Sequence, residues 1–189
     1  MNIMDKITEH VKKWRDPEYC LEAVKNDGNN LIFVINQTPE ICLAAVKENG
    51  FALQYVENQV PEICLAAVKQ EGLALQYVEN QTPEICIAAV NDWGYALRFV
   101  KEQTPEICLT AVKRNGDALK YVKKQTPEIC LAAINDDPRA LKHVKHLTPE
   151  FCAEAIKQNL EAYEYIKFSK SEQEREKFIK KLGFLLLSS

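Results

Sequence analysis

Seven prolines, Pro17, Pro39, Pro61, Pro83, Pro105, Pro127 and Pro149, stand 22 residues apart, and each opens a near-copy of one unit. The unit is plainest at Pro39-Glu-Ile-Cys-Leu-Ala-Ala-Val-Lys-Glu-Asn-Gly-Phe-Ala-Leu-Gln-Tyr-Val-Glu-Asn-Gln-Val60. A fixed period of this length means a repeat array, because a unit too small to bury its own apolar face must stack on its neighbours. The same period weighs against catalysis. A copied unit makes ladders of like residues along a surface, whereas an active site needs unlike residues converging on one point.

Within the unit the punctuation is helical. Thr38, Thr82, Thr104, Thr126 and Thr148 precede the proline as N-caps, Pro fits the first helical position, and Glu follows at the positive end of the helix dipole. Gly28, Gly50, Gly72, Gly94 and Gly116 stand eleven residues past the proline, where a left-handed C-terminal stop is expected. The spacing therefore predicts one helix over Pro39–Glu48 and a second over Ala52–Asn58, with Gln59-Val60 turning the chain. Ile41, Cys42, Leu43, Ala45 and Val46 cover a wide apolar arc on the first helix, as befits a helix clasped on both sides. On the second, Ala52, Leu53, Tyr55 and Val56 face inward. Ala recurs six past every proline, from Ala23 to Ala155, so that two helices can approach closely there. Helices this short are unstable alone, and stacking must hold them.

The expected fold is all-α: an α-solenoid of seven two-helix repeats over 17–169, starting at 17, 39, 61, 83, 105, 127 and 149. Residues 1–16 form an N-terminal capping helix, with Ile3, Ile7, Val11 and Trp14 on the stripe that covers the first repeat. Residues 170–189 form a C-terminal capping helix and tail. There Ser171-Glu-Gln-Glu174 has capping-box spacing, Phe178, Ile179 and Leu182 close the far end, and the helix stops near Gly183. A leucine-rich repeat shares the period but fails on pattern, since no Leu-x-Leu strand core is present and Ala-Ala sits at the unit's centre.

The string Pro-Glu-Ile-Cys-Leu-Ala-Ala-Val-Lys-x-Asn-Gly-x-Ala-Leu-x-Tyr-Val resembles a short repeat family of unknown function, DUF4116, over residues 17 to 168 and most closely in repeats two to five. The resemblance implies α-helical arrays in giant DNA viruses of amoebae, intracellular bacteria and protists, and it brings no catalytic residue. Repeats six and seven depart from it: Pro138 and Leu160 replace the glycine, and Tyr163 replaces Leu.

The remaining residues offer little chemistry. Seven cysteines occur once per repeat, from Cys20 to Cys152. Equivalent residues of stacked helices lie about 8–10 Å apart, beyond the roughly 7 Å reach of a disulfide. They read as reduced, buried thiols of an intracellular protein, in cytoplasm or nucleus, or in a host cell if the chain is viral. No signal peptide and no membrane-spanning run is evident. One Cys per repeat without a local His cannot hold zinc, and His143, His146 and Cys152 make too small a set, so no metal and no cofactor is expected. No phosphate loop or nucleophile–base pair is found, and an enzyme is not expected.

Two surfaces vary in order along the array. In repeats two to four, Phe51, Leu73 and Tyr95, with Tyr55, Tyr77 and Phe99 beside them and Trp93 adjacent, form an apolar–aromatic strip, read either as a protein interface or as ordinary packing between repeats. In repeats four to seven, Arg98, Lys101, Lys120, Lys123, Lys124, Lys142, Lys145 and Lys167 make a basic stripe, read either as a phosphate-binding surface or as an ordinary solvated face. Residues 1–94 carry 7 Lys and Arg against 14 Asp and Glu, and residues 95–189 carry 17 against 13, so the overall −3 conceals two halves of opposite sign. Two functions follow. One is a scaffold gripping an unidentified protein partner through the strip; the alternative is a nucleic-acid-binding solenoid using the stripe on phosphates. Only half the chain is basic, which favours the scaffold.

Overall fold

The computed structural model describes residues 2–166 and 172–187, and among them every regular element is helical. Each repeat supplies one ten-residue α-helix and one six-residue 3-10 helix, written η. In order these are α1 (Ile3–Lys13), α2 (Pro17–Asn26), η1 (Gly28–Phe33), α3 (Pro39–Glu48), η2 (Gly50–Tyr55), α4 (Pro61–Gln70), η3 (Gly72–Tyr77), α5 (Pro83–Asp92) and η4 (Gly94–Phe99). They continue as α6 (Pro105–Arg114), η5 (Gly116–Tyr121), α7 (Pro127–Asp136), η6 (Pro138–His143), α8 (Pro149–Gln158), η7 (Leu160–Tyr165) and α9 (Glu172–Leu187). The chain divides into two compact units, residues 1–101 and 102–189. In the first, α2 to α5 pack in series as one layer and η1 to η4 as another. In the second, α6 to α9 and η5 to η7 do the same. The fold is an all-α solenoid of helical repeats.

The first helix of each unit has the expected bounds and caps. The Thr38, Thr82, Thr104 and Thr126 hydroxyls each accept the backbone N–H three residues on at 3.3 Å, and Asp16 does the same work for α2. Val60 has no hydroxyl, and α4 starts without a side-chain cap. Where the two layers pack in the first unit, Val46, Val68 and Val90 from the α-layer and Leu53, Leu75 and Leu97 from the η-layer are fully buried, as are Val112 and Leu119 in the second. Each such side chain contributes about 1.5–3 kcal/mol by leaving water, which is what holds helices too short to stand alone.

The second helix differs from the expectation. It begins at the glycine, runs as 3-10 helix, and stops at Tyr55 rather than continuing to Asn58. Every described 3-10 helix stops at this same place, η1 and η7 included, and the next residue leaves in an extended conformation, Val56 with φ −76° and ψ 117° and Ile166 with φ −68° and ψ 117°. In η2 the exit is fastened by a side chain from the preceding repeat: Gln37 donates Nε2–H to the Tyr55 carbonyl at 2.8 Å and accepts the Glu57 N–H on Oε1 at 3.0 Å. Leu147 has no amide to do this for η7, so the clamp secures the exit and does not set it.

The glycines also have another purpose. No described glycine has positive φ, so none is a left-handed stop. Gly28, Gly50, Gly72 and Gly116 instead lie against the next repeat: a Cβ at Gly50 would sit 2.6 Å from the Ala67 carbonyl oxygen, and one at Gly72 would sit 2.5 Å from that of Ala89. The repeated alanine is the matching half of this contact, as Ala45, Ala67, Ala89 and Ala133 are fully buried.

The ends depart from the expected caps. Of the N-terminal stripe, Trp14 is buried, in edge and tilted contact with Tyr19 and Phe33 at 5.2 and 5.1 Å, whereas Ile3 and Val11 are 75% and 39% exposed. The first repeat presents its aromatic pair only at the C-terminal end of α1, so the helix is anchored there and not along its length. The Ile7 side chain lies outside the described residues. At the far end Leu182 is buried, Phe178 half-buried and Ile179 exposed, with Lys181 paired to Glu150 of α8. The α9 helix runs through Gly183 to Leu187, since open space around Gly183 makes no demand on its backbone. Ser171 of the expected capping box lies outside the described residues.

Candidate interaction surfaces

The aromatic strip lies on the η-layer of the first unit. Phe51, Tyr55, Leu73, Tyr77, Tyr95 and Phe99 are half-buried, and Trp93 is 44% exposed. Phe51 meets Tyr77 of the next repeat edge-on at 6.4 Å, Trp93 meets Tyr95 at 5.7 Å, and the Arg98 guanidinium lies 4.5 Å from the Phe99 ring centroid. Phe51 thus packs on the next repeat, while Trp93 and Tyr95 pair within one repeat, and the row stays partly open to solvent with Trp93 the most exposed.

The same cross-repeat contact changes chemistry in the second unit. Asp117 stands at the Phe51 position and His143 at the Tyr77 position, and the two meet at 2.8 Å. Asp117 also takes Lys120 at 2.6 Å and Lys142 at 3.2 Å. Two lysines of the basic stripe are thus held on a carboxylate. The Lys145 ammonium donates to the Val122 and Lys123 carbonyls of the repeat before it, at 3.3 and 3.1 Å. In the first unit Lys101 donates likewise to the Glu79 carbonyl at 2.6 Å. These lysines close the carbonyl end of a neighbouring 3-10 helix. Lys123 and Lys124 are exposed, and Lys167 lies outside the described residues.

A second ladder was not anticipated from the sequence. Gln59, Gln81, Gln103 and Gln125 repeat the Gln37 clamp, donating to the carbonyls of Tyr77, Phe99, Tyr121 and His143 at 2.9 Å. They accept from the N–H groups of Glu79, Lys101, Lys123 and Lys145 at 2.9–3.0 Å. Each Gln oxygen also receives a buried thiol, from Cys42 at 3.4 Å to Cys130 at 3.7 Å. The signal was present, because Gln stands two residues before the proline in five successive repeats, but it reads as turn composition until its partners are known.

The cysteines are all free and buried. Burial pushes every thiol up from its ordinary value, and those of Cys130 and Cys152 up to about 11. Such thiols are poor nucleophiles and poor metal ligands. No group of three His, Cys, Asp or Glu is placed to hold a metal among the described residues. His143 is engaged with Asp117, and His146 is exposed. Nor is any described helix long and apolar enough to cross a membrane.

A third ladder has twice the period. The backbone N–H of Gly28 donates to Glu48, that of Gly72 to Asp92 at 2.7 Å, and that of Gly116 to Asp136 at 2.7 Å. The intervening units carry Gln70 and Arg114 at this place, so the carboxylate returns every second repeat. The family model described as Domain of unknown function (DUF4116) matches residues 16–60, 38–82, 82–126 and 104–147, each match covering two units. The chain belongs to this family. No curated protein and no solved structure matches it. The matches begin one unit apart at 16 and 38 and again at 82 and 104, so the DUF4116 model follows the single 22-residue period and not the carboxylate alternation.

Proposed function

We propose that this DUF4116 array is a non-enzymatic intracellular scaffold that binds a protein partner through the aromatic strip of its first unit. The observation that carries the reading is the half-open row of rings from Phe51 to Phe99, with Trp93 44% exposed at its edge. Rigid aromatic side chains with one free edge are the residues that dominate protein interfaces. The net charge of the flanking surface, acidic in this half of the chain, supplies steering rather than affinity.

The nucleic-acid alternative draws on the basic stripe, and the contacts of that stripe weaken it. Lys120 and Lys142 share Asp117, while Lys101 and Lys145 bond neighbouring carbonyls. Stripe residues already committed within the protein have less to offer a phosphate.

The test is comparative capture from extracts of the source cell, using the full chain and its Trp93→Ala and Lys123→Glu/Lys124→Glu variants. A protein retained by wild type and by the lysine variant, and lost with Trp93→Ala, supports the scaffold. Salt-sensitive nucleic-acid binding abolished by the lysine variant, with no protein that depends on Trp93, overturns it.

A further inference from the structure

The junctions between repeats two and three and between repeats five and six each have three fastenings: a glycine against the next repeat's alanine carbonyl, a Gln clamp, and a side-chain pair, Phe51–Tyr77 or Asp117–His143. The junction between repeats six and seven lacks the first two. Pro138 stands at the glycine position: it carries a ring where the other junctions have no side chain, and it lacks a backbone N–H. Leu147 stands at the Gln position and has no amide. The packing there is correspondingly open. Val144 is half-buried where Val78 and Val122 are 2% and 1% exposed, and Phe151 is half-buried where Ile107 and Ile129 are 1% and 2% exposed. Tyr163 is 61% exposed at the position that Leu97, Leu119 and Leu141 bury. Among the described residues a long hydrogen bond, from Asn159 Nδ2 to the Ile134 carbonyl at 3.4 Å, crosses the junction.

The two sides of this junction are each well fastened. On one side α7 and η6 are held to repeat five by Gln125, by Asp136 on the Gly116 N–H, and by the Asp117–His143 pair. On the other, α8 carries α9 through the buried Leu182 and the Glu150–Lys181 pair. In an array stabilised by nearest-neighbour contacts, the boundary that opens first is the one with the weakest interface.

We propose that the junction between repeats six and seven is a built-in release point, at which α8, η7 and α9 detach as one body while α6 and α7 stay folded. Restoring the missing fastenings closes it. The experiment is hydrogen exchange read by mass spectrometry on the full chain and on the Pro138→Gly/Leu147→Gln variant. In wild type, amides of α8 and η7 exchange together, at one opening rate, well ahead of α6 and α7. In the variant this block slows by about fivefold or more, the equilibrium equivalent of one recovered hydrogen bond, with α6 and α7 unchanged. Where Pro138→Gly costs the fold, Leu147→Gln alone carries the test in the same direction. Wild-type protection of α8 equal to that of α7, or a block unmoved by the restored clamp, overturns the proposal.

Discussion

Replacing Gln59 by Leu tests the physical account of how one repeat is fixed to the next. The side chain satisfies two backbone groups of the following repeat, the Tyr77 carbonyl at 2.9 Å and the Glu79 N–H at 3.0 Å, and receives the Cys64 thiol at 3.6 Å. Leu is close to Gln in volume, so sterics contribute little. A net hydrogen bond is worth about 1 kcal/mol, and stranding a buried backbone group costs about 1–3 kcal/mol. Glu79 is exposed, so water can replace part of one bond, while Tyr77 is half-buried and its carbonyl loses more. The expected cost is about 2 kcal/mol, a fall in melting temperature of about 4–8 °C for a chain of this size. Urea unfolding followed by helix ellipticity gives the change in midpoint. Gln59→Glu separates the roles of the two ends: the acceptor is kept, and a carboxylate oxygen faces the Tyr77 carbonyl at neutral pH. It should be at least as damaging as Leu at pH 7 and should recover in part as the carboxyl protonates. A loss below about 0.5 kcal/mol for Gln59→Leu, within the range of an ordinary surface change, would refute the clamp.

Gly72→Ala should cost about 3 kcal/mol, at the upper end of overpacking, because the new methyl meets a backbone oxygen at 2.5 Å; thermal melts that match wild type would show that the layers separate freely. Stability should be level below about pH 9 and fall as pH rises towards 11, since the unfolded chain releases thiol protons that buried Cys130 and Cys152 retain; a Cys130→Ala/Cys152→Ala variant with the same alkaline slope contradicts this. Thiol reagents should label few of the seven cysteines in the native protein and all of them in denaturant, read by intact mass.

The proline period, the threonine caps and the apolar arc of Ile41 to Val46 were sufficient to place the first helix of each repeat to the residue. These signals are local, set by which backbone groups a neighbouring side chain can reach. The second helix is shorter than the spacing predicts, and the Gln37 side chain that fastens its exit stands eighteen residues before the carbonyl it binds, a contact that no local pattern reveals. The glycines were misread for a related reason. A glycine after a helix fits both a left-handed stop and a close approach, and only the Ala67 carbonyl beside Gly50 distinguishes them. Of the candidate surfaces, the aromatic strip was legible as a row but not as half-packed. The basic stripe showed its charge in the sequence, yet nothing there revealed that Asp117 and the carbonyls of Glu79 and Lys123 hold four of its lysines.

The carboxylates Glu48, Asp92 and Asp136 bear on how such a chain can change its copy number. Insertion or loss of a 44-residue segment by recombination between repeats leaves every acid facing the glycine N–H it now serves. Insertion of a single 22-residue unit does the same, because each acid bonds the glycine of the unit directly before it, and units with Gln70 or Arg114 at the acid position already sit in the array. An array fastened neighbour to neighbour can therefore change its copy number one unit at a time.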